Sequence, residues 1–377
     1  MNSAPLNPEV LIVARESRGC TQKDLADAAG VTQGLISKAE RGVATLSERH
    51  IAAIADLLGY PVRLFYEAGR VREVGSACLY HRKRKTLPAK VLTKLDARMY
   101  IRNLNVINLL DGLDIEGDRI FHTMDPDEYG GDPVEIARAL RTAWRVPDGP
   151  IPNLTALIES AGGIVLFEDF GHRKLFGMSC WTKRGHPLFF LNSSVSTDDL
   201  RWTMAHELGH LTMHATPPDG DPEDQADAFA GEFLAPIARF KPDARKLSFD
   251  RLPQLKAYWG LSMKGVIKRA RVVGAIDTKA ATRLYKQHSA RGYNAAEPYP
   301  LKSERSTLVD AAIDVHLREH GYSKDQLAEA ALLTPQEFVR DFLKEAPVAK
   351  EIRHSDVKPD NVISLADKRR STDLSSA

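Results

Sequence analysis

His206-Glu207-Leu208-Gly209-His210 is the stretch from which the rest of this chain is read. An α-helix turns about 100° per residue, so positions four apart lie roughly 40° from one another and both imidazoles leave the same face, one turn apart. Two Nε2 atoms in that relation can reach one tetrahedral zinc ion, while the carboxylate of Glu207 points toward the open coordination position. There it can take a proton from a water that the ion has acidified to a pKa of about 7. A third protein ligand is needed. The helix with the histidines runs on to His214 and is broken by Thr216-Pro217-Pro218-Asp219-Gly220-Asp221-Pro222. Glu223-Asp224-Gln225-Ala226-Asp227-Ala228-Phe229 then opens a new helical pattern, with Pro222 suited to its first position. Glu223 and Asp227 share a face of that helix. Glu223 is therefore the candidate third ligand, and Asp227 the acceptor for the other ring N–H of a ligating histidine. His214 lies a further turn along, but three residues stacked on one straight helix diverge along its axis, so it reads as a neighbour of the site and not a ligand.

H-E-x-x-H alone arises by chance in many helices, where it is a buried histidine pair. Here Leu191-Asn192 and an apolar run through Leu200, Trp202 and Met204 lead into it, and Glu223 to Pro236 follow it, which favours the metal. Upstream the periodicity changes. Ile164–Phe167, Gly177–Trp181 and Pro187–Leu191 read as three short strands. A small sheet beside the histidine helix would let an edge strand hold an extended substrate by main-chain hydrogen bonds, and Pro187–Leu191 is the strand nearest in sequence.

Near the N-terminus, Cys20 to Gly42 reads as helix, turn, helix. Thr21 and Thr32 are the caps and Gly30 the turn; Leu25, Ala26 and Ala29 face Leu35 and Ile36. The second helix would enter the major groove. Thr32, Gln33, Gly34, Ser37 and Lys38 then face DNA, Gln33 against an adenine edge, while Gln22 and Lys38 hold phosphates. Pro8–Arg18 and Ser47–Tyr66 complete five helices. From Met1 to Tyr66 seven Lys/Arg balance seven Asp/Glu. A neutral domain binds phosphate weakly, so operator binding calls for a homodimer; the motif, not the charge, favours DNA over a protein-docking role. From Glu67 to Arg102, ten basic residues stand against three acidic, and Arg82-Lys83-Arg84-Lys85 either extends a phosphate-binding surface or is a solvated helix start.

With these residues in view, 8–66 resembles an XRE-type (Cro/repressor-like) helix-turn-helix domain, and about 80 to 295 resembles the ImmA/IrrE family of zinc metallopeptidases. The second resemblance rests on Tyr80–Lys85, Gly149–Leu154, Ala205–Leu211 with His214, Glu223–Pro236, Leu255–Ser262 and Arg291-Gly292-Tyr293. It implies zinc on His206, His210 and Glu223 with Glu207 as base, the assignment that spacing also suggests. It further implies cleavage of a partner repressor, as family members with the motif are associated with lifting repression in mobile-element control and stress responses. The family pattern most often has Asn where Asp227 stands.

The expected architecture is mainly α and multidomain. It runs from a lambda-repressor-like helix-turn-helix (1–70) and a helical linker region (71–150) to an α+β zincin-like metallopeptidase domain with a small sheet (151–295), a helical C-terminal module (296–346) and a disordered tail (347–377). Leu87–Leu113 should be a helix with Leu92, Leu95, Met99, Leu104, Ile107 and Leu110 on its inner face, followed by shorter helices over Ile136–Trp144 and Asn153–Ser160. Gly321–Thr334 echoes Gly19–Thr32, but Leu332 stands where the turn glycine was and Pro335 where Gln33 was, so Leu308–Leu343 reads as a packing or partner-contact module. No apolar run reaches the roughly twenty residues of a membrane span, and Met1–Val10 lacks a signal peptide's basic start and apolar core. Three widely spaced cysteines, Cys20, Cys78 and Cys180, suggest reduced thiols, and the protein is expected in the cytoplasm. The expected function is a DNA-binding transcription regulator with a zinc metallopeptidase domain that cuts a partner repressor or itself. Its partners are then operator DNA and a protein or peptide substrate, without a membrane. The other class the sequence admits is a non-catalytic regulator or antitoxin whose metal domain senses a ligand or docks a cognate toxin.

Overall fold

The N-terminal helices begin on side-chain caps that satisfy amides the helix itself cannot. Asn7 opens α1 (Pro8–Arg18), Thr21 with Asp24 forms a capping box for α2 (Gln22–Ala29), Thr32 opens α3 (Gln33–Glu40) and Ser47 opens α4 (Glu48–Leu58). The fifth helical element is a single 3₁₀ turn, Val62–Tyr66. Leu25, Ile36, Ile54 and Phe65 are wholly buried among these elements, each contributing about 1.5–3 kcal/mol of burial. This computed structural model describes residues 5–68, 87–113, 117–215 and 219–343. The basic run Arg82–Lys85, Cys78 and the tail 347–377 lie outside them; Cys20 and Cys180 are free thiols.

α5 (Ala89–Leu109) follows. It buries Leu95, Met99 and Leu110 as the periodicity predicts, but Leu92, Leu104 and Ile107 are only half-buried, while Ala97, Ile101, Asn103, Asn105, Val106 and Leu109 are enclosed. More than one face is covered. Ala97 and Ile101 join the helix-turn-helix core, and Arg98 and Arg102 pair with Glu168 in the middle of the chain. Next come α6 (Pro133–Ala143), opened by Asp132, and α7 (Leu154–Glu159), opened by Asn153. Ile136, Ala137, Leu140 and Trp144 are core residues of the metal-site region. Where it is described, through α5 and α6, the segment expected as a linker is thus built into the cores on either side of it.

Three strands make one sheet: β1 (Ile164–Glu168), β2 (Gly177–Trp181) and β3 (Pro187–Asn192), in the order β1-β3-β2. β3 runs parallel to β1 and antiparallel to β2, with Ile164 opposite Leu188 and Gly177 opposite Leu191. Every residue of β3 is buried, and both its edges are paired. α8 (Thr197–Met213) crosses the sheet and packs most closely on α9 (Pro222–Leu234). Buried between sheet, α6 and α9, α8 has no polar face to show, and even Asp198, Arg201, Glu207 and His210 are enclosed. The core is completed by α10 (Ile237–Asp243), α11 (Leu252–Trp259), α12 (Met263–Val272) and α13 (Thr278–Ala290).

The C-terminal echo is a real helix-turn-helix in shape. After α14 (Leu308–Arg318), α15 (Lys324–Ala330) opens on a Ser323 capping box and α16 (Pro335–Phe342) follows. The turn survives without glycine because Leu332 takes the left-handed conformation itself, φ 59° against 66° at Gly30. That costs about 1–2 kcal/mol, and burial of the leucine against the N-terminal core offsets it by a similar or larger amount. Arg18 pairs with Glu337 at 2.6 Å, Arg102 with Asp341, and the Asn105 side chain donates to the Ala331 carbonyl at 2.7 Å. The module expected for packing packs on α5 and the first helix-turn-helix. Among the described residues no helix is long and apolar enough to cross a membrane.

Candidate metal centre and DNA-facing surface

α8 presents His206 and His210 one turn apart, and α9 brings Glu223 to them from its first turn. The two Nε2 atoms lie 3.1 Å apart; Glu223 Oε1 is 3.3 Å from that of His210 and Oε2 is 3.8 Å from that of His206. Bonds of about 2.05 Å at tetrahedral angles place ligand atoms about 3.3 Å from each other, so this spacing fits zinc.

Tautomers agree with that reading. Gln225 on α9 donates its amide to the Asp219 carbonyl at 2.8 Å, which turns its Oε1 toward His214 Nε2 at 2.9 Å. An oxygen there can only accept, so His214 carries its proton on Nε2. Burial, then the neighbouring His210, lowers the His214 pKa to about 4, leaving the ring neutral with a lone pair on Nδ1. His210 Nδ1, 2.9 Å away, donates into it, and His210 Nε2 is left as the lone pair at the site. At the other histidine, Nδ1 lies 3.3 Å from Asp227 Oδ1, which turns its Nε2 lone pair to the same point. Both ring nitrogens of His214 are engaged by these two bonds.

Asp227 collects two further donors, Trp202 Nε1 at 2.9 Å and Lys268 Nζ at 2.8 Å, and that lysine also lies 4.7 Å above the Trp202 ring. Burial works to raise its carboxyl, but the bond from His206 and the Lys268 charge outweigh it and hold the group below the ordinary carboxylate range. Lys268 supplies the countercharge that a carboxylate, unlike an asparagine, requires. Glu207 is almost wholly buried, and Ser179 Oγ on β2 donates to its Oε2 at 2.7 Å. These groups close one side of a cleft of about 210 Å³ whose other walls include Leu175, Phe176 and Gly177.

Close approach of α8 and α9 depends on Gly209. A Cβ there would stand 3.0 Å from Cδ1 of Phe229, a fully buried ring stacked on Phe233. Gly209→Ala is expected to destabilise the fold by about 1–3 kcal/mol and to weaken zinc retention, because α9 and Glu223 are pushed away together. Denaturant melts beside zinc titrations check this; an alanine variant matching wild type in both would show that the contact is slack.

In the helix-turn-helix, Gln33, Gly34 and Lys38 are exposed and Ser37 half-exposed along α3. Thr32, exposed at its start, uses its hydroxyl to cap Leu35 N. Gln22 differs from expectation. Its amide donates to Glu40 at 2.7 Å, because that buried carboxylate, already bonded to Arg15, needs donors more than solvent does.

Family comparisons agree with both halves. Residues 11–65 match the helix-turn-helix family model, and residues 158–271, which span the sheet, α8, α9 and most of α12, match that of the IrrE N-terminal-like domain, a metallopeptidase-type family. The chain is a helix-turn-helix domain fused to an IrrE-like domain. No curated protein and no solved structure matches it significantly. The IrrE-like domain contains the whole candidate site, including the residues that sequence did not single out: Ser179, Gln225, Trp202 and Lys268. Of these only Ser179 had a local sign, since it alternates with Gly177 on the face of β2 that meets α8.

Proposed function

We propose that this chain is a DNA-binding transcription regulator whose IrrE-like domain is a zinc-dependent endopeptidase acting on a partner repressor or on the chain itself. The observation that carries it is the convergence of His206, His210 and Glu223 at zinc-ligand spacing beside a buried Glu207 in an open cleft. Zinc held there would polarise a scissile carbonyl and acidify a water. Glu207 accepts the proton from that water and returns it to the leaving amine, and Ser179 fixes its rotamer by holding one carboxylate oxygen. Asp227, with Lys268 behind it, keeps the His206 ring oriented. An extended substrate pairs with β2, not β3. β3 is the central strand, whereas β2 is at the sheet edge and its Gly177 lines the cleft.

The α3 surface holds operator DNA, and a homodimer doubles the phosphate contacts that one neutral domain lacks. The test is to incubate the full chain with extract of its own host cells and identify new peptide termini by mass spectrometry. Zinc-loaded protein is expected to generate fragments of itself or of a second DNA-binding protein; chelator-stripped protein should generate none until zinc is returned. A non-catalytic regulator or antitoxin predicts no zinc-dependent fragment at all, and that result would sink the peptidase reading.

A further inference from the structure

Within the helix-turn-helix the edge at the start of α2 has one exposed cation of its own, Lys23. Arg15 is bonded to Glu40 and lies 3.7 Å from Glu16, and Asp24 stands exposed. Helix N-termini of this kind commonly meet phosphate, and uncompensated acid would repel it. At this edge the fold brings in a helix from outside the motif. Lys94 of α5 lies over Gly19, its Cδ 3.5 Å from where a Cβ on that glycine would stand. Lys90, one turn earlier, is close enough to Asp24 to act on its charge: the Thr21 hydrogen bonds lower the Asp24 carboxyl most, and Lys90 and then Lys23 add to them. Both lysines are exposed, and a groove of about 370 Å³ runs between them and Thr21, Gln22 and Gln33.

We propose that Lys90 and Lys94 are part of the DNA interface, holding backbone phosphates of the duplex next to the N-terminal end of α2 while α3 lies in the groove. The inference rests on the reading of α2 and α3 as a DNA-binding unit. α5 is fastened by Arg98 and Arg102 to Glu168 at the end of β1, so the cations sit on a rigid support rather than on a loose linker. The phosphate footprint therefore extends past residues 11–65 onto a helix shared with the IrrE-like half.

The measurement is binding of the full chain to a random-sequence duplex by fluorescence anisotropy across a series of KCl concentrations. Each lost phosphate contact makes the slope of log K against log salt shallower by about 0.9, so K90A/K94A should reduce it by about 1.8, equally for duplexes of different sequence. K90R/K94R should restore the wild-type slope. An unchanged slope in K90A/K94A, while Lys38→Ala on α3 weakens binding, overturns this inference and leaves the DNA-binding reading intact. No salt-dependent binding by the wild-type chain would overturn both.

Discussion

Glu223→Ala is expected to leave the purified protein nearly without zinc, where the wild type is expected to hold about one ion per chain. The reason is geometric. His206 and His210 offer two nitrogens from one helix, and an i, i+4 pair alone leaves half of the coordination sphere to water. Glu223 is the group that closes the set from a second helix, with one oxygen 3.3 Å from His210 Nε2 and the other 3.8 Å from His206 Nε2. No neighbour can replace it without rearrangement. Both nitrogens of His214 are committed to His210 and Gln225, and Asp227 lies on the Nδ1 side of His206, opposite the Nε2 atom that faces Glu223. Asp227→Asn makes the informative comparison. An amide oxygen can still accept from His206 Nδ1, so zinc should stay bound, with affinity lowered by no more than about 10–100-fold, the usual effect of disturbing a group behind a ligand. Elemental mass spectrometry of the three proteins after identical dialysis decides the matter. Full zinc in Glu223→Ala would mean that the third ligand lies elsewhere, and zinc loss in Asp227→Asn but not in Glu223→Ala would make Asp227 that ligand.

How much of this could be read from sequence follows from how local each feature is. The histidine pair is an i, i+4 relation within one helix, and the caps at Thr21 and Thr32 act on amides three residues away, so spacing alone reveals them. The three strands likewise show as short apolar runs, with ends within a residue of where they lie. The roles of Gln225 and Lys268 are not legible, and Ser179 shows only its face of the strand. Each gains its role only when α9, β2 or α12 folds against α8, and no periodicity in those segments refers to a histidine elsewhere in the chain. α5 shows the same limit differently. A hydrophobic stripe identifies one interface, but this helix lies among α1, α14 and α15, so buried Asn103 and Asn105 look polar in sequence and are interior in the fold. Leu332 reverses the usual rule, since its side chain is worth more in the core than the strain costs the turn.

Glu207→Gln is expected to abolish zinc-dependent cleavage while leaving zinc content, folding and DNA binding at wild-type levels. Glutamine has nearly the same shape and can still accept a hydrogen bond from Ser179, 2.7 Å from the carboxylate in the native site, so the wall of the cleft stays in place. What it loses is the capacity to take up a proton. General base catalysis of this kind contributes about 10²–10⁴ in rate, and the variant should fall by at least that much. Ser179→Ala separates position from chemistry. It keeps the carboxylate but releases one oxygen from a buried setting, so cleavage should slow by less than in Glu207→Gln while zinc content remains unchanged. The readout is the rate at which zinc-dependent fragments appear under identical conditions for the three proteins, alongside metal analysis and melting curves. A Glu207→Gln protein that cleaves at the wild-type rate would remove Glu207 from the reaction. If it instead cleaved nothing because it had lost zinc, the carboxylate would be holding the metal site together and not the proton.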